Sequence, residues 1–430
     1  MSLAAALLLA GATATAQVAP IDVQHYRVRL LPDIAAGTLR GEEDVRLCLL
    51  GDGDAVSLDA GALVIDSASL GKQALTTSRD GKTLAVTLPR AYRAGACLTL
   101  QLRYSGKGSY GLQLHAQRRQ AYTIFSTSQW MPANDAPSDR ATLDLDVVLP
   151  RELQAVGTGT VLPSRYSKEL TTHRWRLRRA MPSYLYGFAA GTFTQVQFDA
   201  NGITFDMLGD GFDASQLRQI FAETPAMLAF FADKAGVAYP HRVYSQALVA
   251  DTVGQELAGM ALVSEAYGRE VLDDATRQGL IAHEAAHQWW GNGVTNIDWR
   301  QFWLNEGVTT FMAAAWMQHR FGEAAYEAQV DRWRARVEKL RADGKDKPLV
   351  FPDWNKPSGD DRAVVYTKGA YAMHLLRQQL GEEAFWKGLR AYTRARMGKT
   401  ATTADLQQAM QVASGRDLSA FFREWTGVTR

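Results

Sequence analysis

From Ile21 to about Thr194, apolar and polar residues alternate in short runs: HYRVRLL, VRLCLLG, LAVTLPR, CLTLQLRY, AYTIFST and ATLDLDVVLP. Each run is bounded by Gly, Pro, Asn or Asp. A period of two puts one set of side chains on each face of a pleated strand, so this part of the chain predicts an all-β domain. The run RWRLRR at 174–179 obeys the same rule, with Arg174, Arg176 and Arg178 on one face and Trp175 and Leu177 on the other. A solvated strand face accounts for that stripe; the other features of a nucleic-acid-binding surface are missing. After Asn201 the period changes. Apolar positions recur three and four residues apart in SQLRQIFAETPAMLAFFADKAG, TRQGLIAHEAAHQWWG and FWLNEGVTTFMAAAWMQHRFG, and in several segments from Glu323 onward. That spacing predicts helices, with one strand-like stretch near Arg242 to Ala250. The expected fold class is α+β, an N-terminal β domain over 17–195 followed by a mainly helical domain over 196–430. The segment KDKPLVFPDWNKPSGDD, 345–361, reads as a surface loop between helices.

Composition narrows the classes. With 430 residues, 47% of them hydrophobic, and a formal net charge of +2, the chain is neither disordered nor built for a polyanion. Residues 1–20 carry no charged side chain, and the apolar run Leu3 to Ala12 is shorter than the ~20 residues of a spanning helix. With the small-x-small pattern Ala14-Thr15-Ala16, residues 1–16 read as an export signal, although no Lys or Arg precedes the run. The mature chain is then expected to begin at Gln17, secreted or periplasmic, with no transmembrane anchor. Cys48 and Cys97 both fall in strand-like segments. An oxidising compartment would permit one bridge between them, and whether they lie within bonding distance stays open at this stage.

The chemistry concentrates in His283-Glu284-Ala285-Ala286-His287. On a helix, residues four apart stand one turn above each other, so His283 and His287 can aim imidazole nitrogens at one ion while Glu284 reaches a water beside it. Such a pattern occurs by chance with a probability on the order of 1%, so two histidines on a core helix remain an alternative until a third ligand is found. Glu306 supplies one. The interval after His287 lets the first helix end at Gly291-Asn292-Gly293, turn, and send back a second helix. A third His six residues after His287 is absent, since position 293 is Gly, and His319 lies in later turns of the second helix. Two His and one Glu leave a fourth position open, the arrangement of a catalytic Zn2+ site, though other divalent ions fit these ligands too.

The run HEAAHQWWGNGVTNIDWRQFWLNEG resembles the zinc signature of the aminopeptidase N family, gluzincins related to leukotriene hydrolase and puromycin-sensitive aminopeptidase. Tyr366-Thr367-Lys368-Gly369 is similar to the family's Tyr-x-Lys-Gly segment, WMPANDAPSDRAT to its Pro-x-x-Asp-x-Pro segment, and MPSYLYGFAAGTF to the strand that closes its first domain. The resemblance implies a thermolysin-like catalytic domain, one zinc ion and a peptide substrate. It implies Glu284 as general base, Tyr366 as oxyanion donor, and Glu256 as anchor for the substrate's free amine. The family's Gly-x-Met-Glu-Asn motif is altered here: Val253-Gly254-Gln255-Glu256-Leu257 keeps the glutamate and replaces the Gly, Met and Asn. That change keeps alive a zinc endopeptidase or a peptidase of modified peptides. A non-catalytic peptide-binding relic is the third reading. Gln129 and Gln120 are rival candidates for a family glutamine near the amine, and Trp289 and Trp290 read as core or pocket wall. The larger members continue into further C-terminal domains, so the cleft here is expected to be more open and to admit longer or bulkier peptides. The sequence carries no signal for oligomeric state.

Overall fold

A computed structural model describes residues 17–252, 254–352, 354 and 356–427. The expected export segment 1–16 lies outside them.

The alternating runs become strands. Ile21–Asp33 pairs antiparallel with Thr38–Leu49 and parallel with Ala141–Pro150, inside an eight-stranded sheet. Along the first of these, Tyr26, Val28 and Leu30 are buried while Arg27 and Arg29 are exposed, the alternation that fixes register in a sheet wet on one face. Residues from two four-stranded sheets share its core, so that Val28, Leu47, Val86, Leu102 and Trp130 pack into one cluster. The Arg stripe lies as the pattern predicts. Trp175 and Leu177 are buried, and Arg174 and Arg176 pair with Asp146 at 3.3 Å and Asp144 at 2.8 Å. Cys48 and Cys97 face each other across an antiparallel pair and are disulfide-bonded.

The helical segments form as read, from Ala214–Ile220 to Ser419–Thr426. One expectation needs correction. The second half contains a five-stranded sheet, in the order Thr194–Ala200, Ile203–Gly209, Val243–Val249, Met260–Ser264 and Gly254–Leu257. Only Val243–Val249 was foreseen. Its neighbours Ile203–Gly209 and Met260–Ser264 run parallel to it and are largely buried, so Met260–Val263 shows no alternation. A short continuous apolar run cannot be told from a helix by period. Of the segment expected to be a surface loop, 345–361, the described residues up to Ser358 are irregular, but a helix, Gly359–Ala363, takes up its end, and it is not wholly superficial: Leu349 and Phe351 are buried, and the Leu349 N–H donates to the Trp425 carbonyl at 3.0 Å.

The helix Trp303–Phe321 is the buried axis of this half. It packs against Gly279–Ala286, Glu323–Ala342 and Gly369–Leu380. At Gly307 and Gly369 two helix backbones touch: a Cβ on either residue would lie 2.8 Å from the other's Cα. Only glycine at both positions permits that approach, and it sets the distance between the segments carrying Glu306 and Tyr366.

Candidate active site

His283 and Glu284 sit in the helix Gly279–Ala286, and His287 caps it with helical backbone angles (φ −55°, ψ −24°). The helix thus ends a turn earlier than Gly291-Asn292-Gly293, where the sequence placed its end. Gly291, at φ +121°, passes behind His287, and a Cβ there would stand 2.5 Å from Asn305 Oδ1 and 2.9 Å from His287 Nδ1. Glu306 comes from the first turn of Trp303–Phe321.

The three side chains converge. His283 Nε2 and His287 Nε2 are 3.0 Å apart, and Glu306 Oε2 is 3.1 Å from the first and 3.4 Å from the second. Four ligands held ~2.0–2.1 Å from a tetrahedral zinc stand about 3.3 Å from one another, so these atoms outline one face of such a site. The tautomer agrees. His287 Nδ1 lies 3.1 Å from the Trp290 carbonyl, which only accepts, so Nδ1 carries the proton and Nε2 is left for a cation. Thr309 Oγ1, 2.9 Å from the same carbonyl and 3.3 Å from His287 Nδ1, supports the ring from behind.

Electrostatics point the same way. Burial alone would lower His287, but the carboxylates of Glu256 and Glu306 raise it to about 10. Burial would raise Glu306, yet His287 and His283 hold it well below the carboxylate range. Burial lowers His283, and the neighbouring His287 adds to that. This cluster demands a positive charge: a proton can serve two of the three donors, a divalent ion all three. The donor set therefore fits zinc.

Around this triad stand the other predicted residues. Glu284 is buried and its Oε2 has no hydrogen-bond partner among the described residues; burial pushes its carboxyl well up. It is admitted by Gly254, where a Cβ would fall 2.1 Å from Glu284 Oε1. Glu256 lies on the edge strand Gly254–Leu257, 2% exposed, with no partner for Oε1 among the described residues and its carboxyl raised by burial to about 7. Tyr366 belongs to a single wide turn, Val364–Lys368, and its ring lies nearly parallel to that of His283 (16°, centroids 6.2 Å apart). Burial, with Glu306 next in weight, pushes its phenol well up, so the hydroxyl keeps its proton and can donate. Lys368 Nζ anchors this turn to Asp346 Oδ1 at 2.6 Å and to the Lys347 carbonyl at 2.7 Å.

All six residues line one cavity of about 720 Å³ at the junction of the two halves. Its opposite wall comes from the β half, through Tyr110, Gln113, Tyr122, Ile124 and Phe125, none of which sequence reasoning singled out. Their signal is weak, since they are ordinary polar, aromatic and aliphatic residues in or beside two short strands. A second cavity shares Tyr110, Phe125, Glu256 and Tyr366, and among the described residues none after Tyr366 lines either one. The remaining candidates fall elsewhere. Gln120 is buried against Glu265 and the Ala250 N–H, Gln129 packs beside Gly61, and neither lines the cavities. His319 is exposed and stacks on Phe230. Trp289 and Trp290 are core residues whose indole N–H groups donate to the Val237 carbonyl and to Thr393 Oγ1.

Comparison with known proteins gives the same outline. Residues 22–185 match the Peptidase M1 N-terminal domain, and residues 221–425 match the Peptidase family M1 domain. The chain is 24% identical to Aminopeptidase M1 of Arabidopsis thaliana over 94% of its own length and 50% of that protein. It is 26% identical to Aminopeptidase N of Lactococcus lactis subsp. lactis over 86% of its length and 47% of that protein. It thus spans about half the length of the curated relatives it matches. An M1 zinc metallopeptidase mutant of Deinococcus radiodurans, solved with a bound Tyr-Ser-Ala substrate, superposes with a TM-score of 0.82 at 26% identity, over 95% of both chains.

Proposed function

The chain belongs to peptidase family M1, and from that premise we propose that it is an exported zinc aminopeptidase, in which Glu284 and Tyr366 carry the chemistry and Glu256 sets the cleavage position. The observation that carries this reading is the buried Glu256, whose Oε1 has no hydrogen-bond partner among the described residues, in the cavity that also contains the His283–His287–Glu306 face. His283, His287 and Glu306 would hold a zinc ion, which would supply Lewis-acid activation of water and of the peptide carbonyl. Glu284 takes the proton of the attacking water and returns it to the leaving amine. The Tyr366 hydroxyl donates to the oxygen on which charge develops, a contact worth ~3–4 kcal/mol when one such donor is removed. Glu256 accepts from the peptide's ammonium, so the bond that meets Glu284 is the first one.

Export to the periplasm or medium, with residues 1–16 removed as signal, is supported by the Cys48–Cys97 bridge, which persists in oxidising compartments. Among the described residues no helix is long and apolar enough to cross a membrane. Two of the three arginines of the stripe, Arg174 and Arg176, are paired with Asp146 and Asp144, which supports reading it as a solvated strand face. A second reading, endopeptidase action or cleavage of modified peptides, is favoured by the altered motif around Glu256, where Leu257 stands in place of the Asn. Comparing a peptide with its N-acetylated copy separates the two. Cleavage of the free amine alone is expected, and equal cleavage removes the anchor role from Glu256.

A further inference from the structure

We propose that Gln255 is a positioning residue that holds Glu256 for the substrate's amine and couples it to the aromatic wall of the cleft; the inference rests on the aminopeptidase reading above. Gln255 occupies the place of the methionine in the resembled Gly-x-Met-Glu-Asn motif, and it is fully buried. A buried amide in a methionine's place would be costly if unpaired. Here it is paired at both ends. Its Oε1 accepts the Phe125 N–H at 2.8 Å, while its Nε2 donates to the Glu256 carbonyl and to Glu256 Oε2, both at 2.8 Å. The orientation is not arbitrary, because the Phe125 N–H can only donate; the amide oxygen must face it and the NH2 must face Glu256.

Two consequences follow for the cleft. Gln255 Nε2 ties down one carboxylate oxygen of Glu256 while Oε1 has no hydrogen-bond partner among the described residues; the Asn305 side chain lies close enough to favour the charged carboxylate. A methionine could donate nothing to it. The second consequence lies across the cavity. Phe125 has φ +43°, a left-handed conformation that non-glycine residues rarely adopt, and its ring stacks on Tyr110 with centroids 6.3 Å apart. Phe125, Tyr110 and Glu256 line both cavities. The amide that orients the amine anchor thus also holds the backbone of the wall against which a first side chain beside that amine packs.

The two ends of the amide can be tested apart. Gln255→Met removes both bonds. Gln255→Glu keeps an oxygen for the Phe125 N–H but loses the donor to Glu256 and sets a like charge beside it. The measurement is the ratio of kcat/KM for a free-amine peptide to that for its N-acetylated copy, together with the ratio for Phe-first over Ala-first peptides. Zinc content and Tm report that each variant is folded. Both variants are expected to lose about ten- to a hundredfold of the amine ratio, the worth of one hydrogen bond to a charged group, with the loss in KM for the free-amine peptide. Gln255→Met should also lose the Phe-over-Ala preference, and Gln255→Glu should keep it. If Gln255→Glu does not fold, Gln255→Met alone decides: an unchanged amine ratio overturns the proposal. Loss of both preferences in Gln255→Glu overturns the coupling through Phe125. A wild-type chain that cleaves both peptides equally counts instead against the aminopeptidase reading itself.

Discussion

At the scale of single residues, Glu284 as proton acceptor and Tyr366 as oxyanion donor are expected to do different work, and substitution should separate them. Replacing Glu284 by Gln keeps the shape and removes the proton acceptor, so kcat should fall by about 10²–10⁴-fold while zinc content, read by elemental analysis, stays the same. Tyr366→Phe should lower kcat by about 10²–10³-fold with little change in KM, because the hydroxyl matters only as charge develops on the substrate oxygen; steady-state kinetics checks it. The two histidines and Glu284 were legible from spacing, because residues four apart share one helix face, and Glu306 from the interval that lets a second helix return to them. Glu256 and Tyr366 were not. Their positions depend on an edge strand and on a wide helical turn, and only the resemblance of short motifs pointed to them. Gly254 and Gln255 escaped because their meaning is contact: one makes room for Glu284, the other grips Glu256.

Among elements, the touching of Trp303–Phe321 and Gly369–Leu380 is the joint that brings Glu306 and Tyr366 together. Gly307→Ala would ordinarily favour a helix interior by up to ~1 kcal/mol. Here the added Cβ would meet Gly369 Cα at 2.8 Å and the Val365 carbonyl at 2.9 Å, and backbone cannot step aside as a flexible side chain could. Overpacking costs about 1–3 kcal/mol, so the packing term wins. The variant should melt lower and lose activity beyond its loss of folded protein, since Val365 adjoins Tyr366. An equal or higher Tm would refute that sign. Strands of the first half were readable because one wet face imposes alternation. The strand Met260–Ser264, covered within the second half, lacks that imprint, whereas Ile203–Gly209 alternates over Ile203 to Met207 and was passed over all the same.

For the molecule as a whole, the cleft is composed where the two halves meet, so each half contributes a wall and neither holds the site alone. The Cys48–Cys97 bridge lies in the β half, in strands that contribute no cavity residue. Breaking it with Cys48→Ser should cost about 2–4 kcal/mol in denaturant melts and leave kcat at 25 °C within about twofold. Division into a β part and a helical part was plain from the change of period, whereas the sheet inside the second part and the shared cavity were not, because pairing between distant segments leaves no local pattern.

The central claim is that His283, His287 and Glu306 hold one catalytic zinc. Its most direct test is the zinc content of the purified chain beside that of Glu306→Ala, after dialysis against a mild chelator. About one zinc per wild-type chain and near-complete loss in the variant are expected, with peptide hydrolysis lost in parallel. Equal zinc in both proteins, or full hydrolysis by a metal-free chain, would contradict it.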